Sequence, residues 1–241
     1  MSLNGKVCVV TGASSGVGRA LATAFARSGA QVWAMGRSRE RLESLARKTA
    51  GAAGGLTPLI ADFEDKDALE AAHLEIISHS DSLDVLVHSA GTISRGPIEH
   101  ASTDHFDRQY QVNLRAPFVL TRALLPALKR SRGQIVFINS SAGSVASPDA
   151  ALYAATKGGL KVFADSLRQE VNPAGVRVVT VTLGRTATPM QKLVHEHEGR
   201  AYRPELLLRP EDVVEVVLSA LSLGPTAEVT DVKLRPLGKL P

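Results

Sequence analysis

Short apolar runs alternate along this chain with longer stretches in which apolar positions recur every three to four residues. Val7–Thr11, Gln31–Met35, Leu56–Ile60, Val85–His88, Gln134–Asn139, Val176–Thr182 and Val229–Leu234 read as strands. Several are nearly continuous in Val, Ile and Leu, the pattern of strands in a parallel sheet covered on both faces. Val17–Ser28, Ser38–Ala50, Asp65–Ser80, Thr103–Lys129, Ala150–Val171 and Glu211–Ser222 read as helices. This alternation predicts an α/β fold: a doubly wound parallel sheet of about seven strands, helices on both faces, joined by right-handed crossovers.

Punctuation supports these boundaries. Gly29 and Gly175 follow helices, Ser38 and Ser102 stand where N-caps belong, and Gly51-Ala52-Ala53-Gly54-Gly55 reads as a flexible turn. Gln191–Pro210 is polar and broken by Gly199, Pro204 and Pro210, so it reads as an irregular, mobile substrate flap. There is no internal repeat and no linker; residues 1–241 are expected to form a single domain with that flap on its surface.

Composition narrows the class. Apolar residues make up 44% and charged residues 22%, which excludes a largely disordered chain. The net charge of +4 comes from scattered Lys and Arg, and aromatics are only 4%, so no nucleic-acid partner is expected. The single cysteine, Cys8, lies in an apolar strand and reads as a buried, inert thiol. No signal-type segment precedes β-like Lys6–Val10, and no apolar run approaches the roughly 18 residues of a membrane span. A reducing, cytoplasmic location without membrane contact is the expectation.

Two patterns carry chemistry. Strand Val7–Thr11 runs into Gly12-x-x-x-Gly16-x-Gly18 and then a helix. Glycines there let the backbone turn sharply and approach a pyrophosphate, whose charge sits among the free N–H groups of the helix. A plain tight turn is the bland alternative; the strand before and the helix after favour the phosphate loop of a Rossmann-like fold. The second pattern is Tyr153-Ala154-Ala155-Thr156-Lys157. Four residues apart on a helix, the two side chains share a face, and an ammonium beside a phenol favours phenolate and tunes an acid–base catalyst. His195-Glu196-His197-Glu198 lacks metalloprotease spacing and reads as solvated flap, so no metal is expected.

With these residues in place, the chain resembles the short-chain dehydrogenase/reductase family over essentially its whole length. Thr11–Gly18 matches the family's Thr-Gly-x-x-x-Gly-x-Gly motif, and Tyr153–Lys157 its Tyr-x-x-x-Lys. Ser140 matches its serine, with Ser141 as the rival, and Asn113 its helical asparagine. Gly184-Arg185-Thr186-Ala187-Thr188-Pro189-Met190 matches the segment after the sixth strand. The resemblance implies a catalytic set of Asn113, Ser140, Tyr153 and Lys157. In it Tyr153 moves the proton and Lys157 lowers its pKa while holding the cofactor ribose. Ser140 holds the substrate oxygen, and Asn113 supports a water that links Lys157 to solvent. It further implies cofactor contacts from Gly12, Ser14, Ser15, Gly16, Val17, Gly18, Ala90, Gly91, Tyr153, Lys157, Gly184, Thr186 and Thr188. Asp62 matches the position that meets the adenine, although a helix N-cap or first-turn carboxylate is nearly as good a reading.

Arg37 follows the second strand where enzymes binding NAD place a carboxylate, and Gly36 stands before it. A guanidinium there, with Ser38 beside it, suits the 2′-phosphate of NADP. The chain departs from the family in His88-Ser89-Ala90-Gly91, where an Asn-containing motif is usual, and in Leu183, where Pro is usual. His88 reads as a strand-end histidine satisfied locally. Together these features imply an NADP(H)-dependent oxidoreductase that interconverts a small-molecule ketone or aldehyde and an alcohol. The alternatives are a 3-oxoacyl-carrier-protein reductase, which Arg95, Arg200 and Arg203 would suit, and a non-catalytic cofactor-binding sensor or scaffold. A homo-oligomer, dimer or tetramer, is expected through the helices bearing Asn113 and Tyr153, the latter having Leu160, Phe163, Ala164 and Leu167.

Overall fold

Cys8, Val9 and Val10 alternate sides along one strand, yet all three are fully buried, so both faces of the sheet need a cover. The computed structural model, which describes residues 3–145 and 148–238, supplies one on each side. Seven parallel strands run in the order β3-β2-β1-β4-β5-β6-β7. They are β1 (Val7–Thr11), β2 (Gln31–Gly36), β3 (Gly55–Ile60), β4 (Val85–His88), β5 (Gln134–Ser140), β6 (Arg177–Leu183) and β7 (Asp231–Leu234).

Cys8 and Val10 point into a layer with Leu21 and Phe25 of α1 (Gly16–Arg27), Leu42 of α2 (Arg39–Thr49) and Val213 and Val217 of α8 (Pro210–Leu221). Val9 points the other way. It meets Leu69 and Ile76 of α3 (Lys66–His79), Leu120 and Leu124 of α5 (Ala116–Ser131), and Leu160 and Ala164 of α6 (Ala151–Val171). Each fully buried Leu or Phe contributes roughly 1.5–3 kcal/mol by leaving water. Caps set the helix starts: Ser38 and Ser102 accept from Arg41 N and His105 N, and Asp65 from Asp67 N and Ala68 N.

Three expectations need correction. The single helix read over Thr103–Lys129 is α4 (Thr103–Tyr110), a five-residue π turn (Gln111–Arg115) and α5. Mean apolar spacing does not distinguish a wide turn from a straight helix. The segment Gln191–Pro210 is not irregular throughout, because Thr188 accepts from Gln191 N and starts α7 (Pro189–His197). Last, Leu160, Ala164 and Leu167 of α6 are core residues and Phe163 packs against them, so the sheet-side layer already uses the set read as an oligomer surface. Among the described residues, Phe106, Tyr110, Phe118 and Val162 are the large exposed apolar side chains on α4, α5 and α6.

Candidate active site

β1 and β4 are neighbours at the point where the strand order reverses, and the ends of β1, β4, β5 and β6 open there on a cleft of about 710 Å³. In open α/β sheets this crevice is where ligands bind. Thr11 ties its two loops together: its Oγ1 donates to Val87 O at 3.2 Å and accepts from Ser89 N and Ala90 N at 3.0 and 3.1 Å.

Gly12 has φ +69°, and a Cβ there would lie 2.8 Å from the Ala90 backbone; one on Gly18 would lie 2.5 Å from Gly12 O. Only bare backbone fits this cradle. The N-cap of α1, Ser15, makes no side-chain cap bond, and the first turn carries no acidic residue. Its first N–H groups are therefore presented to an anion. Ser14, Ser15, Gly16 and Val17 line the same stretch, as do Ala90 and Gly91.

At the far end lie Arg37, Ser38 and Asp62, joined by Arg41, Glu64 and Arg108. Arg37 Nη1 stands 3.5 Å and Arg108 Nε 2.9 Å from Glu64 Oε1. Asp62 Oδ1 accepts from Glu64 N at 3.1 Å, while Asp65 caps α3, so Asp62 is a turn carboxylate at the cleft and not the helix cap. Arg41, in the first turn of α2, lies four residues after Arg37 in the sequence; Glu64 and Arg108 reach this corner from distant segments and give no such local signal. A glycine cradle, an uncapped helix start and cations at one end fit a nicotinamide dinucleotide.

Tyr153, Lys157 and Ser140 form the opposite wall. Burial pushes the Tyr153 phenol up, opposed by its hydrogen bond with Ser140. Ser140 Oγ also accepts from Ala142 N at 3.2 Å, whereas Ser141, which lines the same cleft, is exposed. Lys157 is buried, and desolvation lowers it to about 8. Its Nζ donates to Ile138 O at 3.2 Å and lies 5.9 Å from the Tyr153 ring centroid. The ammonium thus reaches back to β5, and burial is the largest influence on the phenol. Asn139 holds strand and helix together, donating to Lys157 O and accepting from Ser140 N.

Asn113 is fully buried and stands behind the cleft wall. Its Oδ1 accepts from Thr92 N at 2.8 Å, and its Nδ2 donates to Thr92 O at 2.9 Å and Thr156 Oγ1 at 3.0 Å. It braces the loop after β4 against α6. His88 is buried against Phe137, with Nε2 2.8 Å from Thr121 Oγ1. Burial, with the charge of Lys157, lowers it to about 3, so it is neutral at working pH.

Gly184, Thr186 and Thr188 also line the cleft; Thr186 Oγ1 donates to Gly184 O and Thr188 Oγ1 is taken by the α7 cap. The His195–Glu198 run is solvated as expected only at Glu196 and His197, which are exposed. His195 is buried, its Nδ1 2.8 Å from Gln191 O and its ring against Tyr202, and Glu198 is drawn in by Arg185 and Arg95. Among the described residues no cluster of three His, Cys, Asp or Glu is placed to hold a metal, and no helix is long and apolar enough to cross a membrane.

The family model for short chain dehydrogenases matches residues 6–199. The chain belongs to the short-chain dehydrogenase/reductase family. Among family members, an uncharacterized short-chain type dehydrogenase/reductase of Sinorhizobium fredii is 32% identical over 240 residues, covering 98% of this chain and 93% of its own. A 3-oxoacyl-[acyl-carrier-protein] reductase of Thermotoga maritima is 31% identical over 223 residues, covering 90% and 91%. A solved metagenomic short-chain oxidoreductase in complex with NADP superposes with a TM-score of 0.86 at 31% identity, covering 99% of this chain and 100% of that one. As a short-chain dehydrogenase/reductase, the protein is an oxidoreductase whose cleft lies where the family's fold places it.

Proposed function

We propose that this enzyme interconverts a ketone or aldehyde and an alcohol with NADP(H), using Tyr153 as the proton donor and acceptor. The observation that carries the reading is the buried Tyr153–Ser140 pair in the same cleft as the Gly12–Gly18 cradle. When bound, the nicotinamide cofactor supplies or takes the hydride. Gly12, Gly16, Gly18 and the start of α1 would hold its pyrophosphate, while Gly91, Gly184, Thr186 and Thr188 would hold its nicotinamide side. In reduction, Ser140 donates to the substrate oxygen and fixes it beside the phenol, and Tyr153 O–H gives that oxygen its proton. In oxidation the phenol oxygen takes the proton back. A desolvated Lys157 is well placed to hold the ribose hydroxyls and to stabilise phenolate once drawn toward the cleft. Asn113 keeps that wall in place through Thr92 and Thr156.

Arg37 and Arg41 at the Ser38 cap support NADP over NAD: two guanidiniums line the end of the cleft that would take a 2′-phosphate, and Gly36 offers no carboxylate to repel it. The NADP-bound structural relative agrees with this choice. The Thermotoga relative favours 3-oxoacyl-carrier-protein reduction as a second reading, while an intact Tyr153 and Lys157 speak against a non-catalytic sensor. Exposed Phe106, Tyr110, Phe118 and Val162 support a homo-oligomer built on α4, α5 and α6. α7 and the segment up to Arg209 are the natural cover for bound substrate.

The test is NADPH consumption across a panel of carbonyl compounds, with Tyr153→Phe as control. The variant removes only the transferable proton, so kcat is expected to fall roughly 10²- to 10⁴-fold with NADPH affinity kept. Near-parental turnover by the Phe variant would overturn the assignment.

A further inference from the structure

At the substrate end of the cleft, three arginines converge on one carboxylate. Glu198, the C-cap that follows α7, receives Arg185 Nη2 at 2.9 Å and Nη1 at 2.8 Å, and Arg95 Nη1 at 3.2 Å; Arg200 Nη1 stands at 4.0 Å. Arg95 and Arg185 line the same cleft as Tyr153 and Ser140. Their side chains are only 16% and 28% exposed. Among the described residues neither has a second carboxylate in ion-pair range, so this largely covered pair carries one positive charge beyond what Glu198 balances.

The cluster is also unsaturated. Arg95 Nε is a buried donor with no hydrogen-bond partner among the described residues, whereas Arg185 Nη1 and Glu198 Oε2 pair with each other at 2.8 Å. Burying surplus guanidinium charge without partners is costly, and a second anion relieves it. The cofactor's own phosphates are accounted for elsewhere, at the start of α1 and beside Arg37.

Position ties the cluster to the chemistry. Gly96 N donates to Asp149 O at 2.9 Å and Arg95 Nη2 lies 3.5 Å from Pro148 O, which anchors Arg95 to the approach to α6 just before Tyr153. Arg185 stands two residues after Leu183, the register partner of Ser140. The guanidiniums therefore come to the reacting end from the loops after two different strands, β4 and β6. Burial works to raise Glu198, but its hydrogen bond with Arg185 and the charges of Arg185, Arg95 and Arg200 hold it below the usual carboxylate range. Glu198 thus stays ionised and orients the forks without neutralising them.

We infer that the carbonyl substrate bears an anionic group, a carboxylate or a phosphate monoester, that docks on Arg95 and Arg185. This rests on the carbonyl reduction proposed above. Guanidinium forks match the paired oxygens of both groups.

The test uses matched pairs with NADPH: oxo acids against their methyl esters, and keto phosphate monoesters against the corresponding hydroxy ketones. The anionic member of at least one pair is expected to be preferred roughly ten- to a hundredfold in kcat/KM, mainly through KM; which pair responds identifies the anion. Arg95→Gln should collapse that ratio about tenfold, and Arg95→Lys should restore part of it. Simple carboxylates or inorganic phosphate should compete with a neutral ketone in the parental enzyme, a readout that needs no variant. Equal or better use of the neutral members, or an Arg95→Gln loss shared equally by both, would overturn the anion site and leave the cluster as a latch on α7. Absence of turnover on every compound would instead strike at the carbonyl-reductase reading.

Discussion

Lys157 is a charge that the fold holds at a cost to its own stability, and replacing it should show how large that cost is. Burial lowers its pKa from 10.5 to about 8, which corresponds to about 3 kcal/mol of disfavoured ammonium. Lys157→Met keeps the aliphatic stem and removes the charge. It also removes the bond to Ile138 O, worth about 1 kcal/mol. A net gain of about 2 kcal/mol at pH 7 remains, or roughly 4–8 °C in Tm for a chain of this size. The pH dependence is the sharper test. Between pH 8 and 10.5 the unfolded chain holds a proton on Lys157 that the folded chain has released, so parental stability rises through that window relative to the variant. The gain should be full below pH 8 and shrink toward pH 10.5. Thermal unfolding of both proteins without cofactor, at pH 7 and pH 10.5, measures it. A variant less stable at pH 7, or a gain that does not change with pH, would refute the desolvation argument. Activity should be lost in either case.

His88, lowered to about 3 by burial, should make the protein acid-sensitive: as pH falls from 6.5, the unfolded chain takes up a proton that the folded site refuses. His88→Asn should flatten that dependence by about 2–3 kcal/mol between pH 6.5 and 4.5, read from urea midpoints; matching slopes in the two proteins would count against it. Glu64→Gln frees Arg37 and Arg108 from their shared carboxylate and should tighten NADPH by about threefold without helping NADH, while Arg37→Ala should reduce the preference for NADPH about tenfold. Equal kcat/KM for the two cofactors in the parental enzyme would remove Arg37 from its role. Gly18→Ala, although it favours helix, puts a Cβ 2.5 Å from Gly12 O and should destabilise the protein by about 1–3 kcal/mol by denaturant titration; a stabilised variant would show that the cradle is slack.

What the sequence made legible follows from which interactions are local. The seven strands lie within two residues of their expected bounds, because a doubly covered parallel strand must be apolar throughout and turns must interrupt it. The cradle and the Tyr153–Lys157 pair are also local, one set by backbone bulk and the other by helical spacing. The Glu198 cluster was hidden because its partners come from the loops after β4 and β6 and from the end of α7, and a carboxylate in a polar run looks like any solvated one. Lys157 was legible as a member of the site but not in its direction: only the fold shows that its ammonium is drawn to Ile138 O. α7 gives only a weak local signal, because its cap, Thr188, lies inside a segment that also matches a cofactor contact.

The π turn at Gln111–Arg115 has a bearing on how this chain can change in length. It carries one residue more than a straight helix of the same rise, and each residue of an α-helix turns the rest by about 100°. Deleting any one of these five positions would straighten the ladder and rotate the two flanking halves against each other. Either Asn113 would leave Thr92, or Leu120 and Leu124 would leave the sheet. Insertions elsewhere can be absorbed by loops; here the residue count itself is under constraint. Proteins that share this brace should therefore align through the segment without gaps, whatever side chains occupy its outer face.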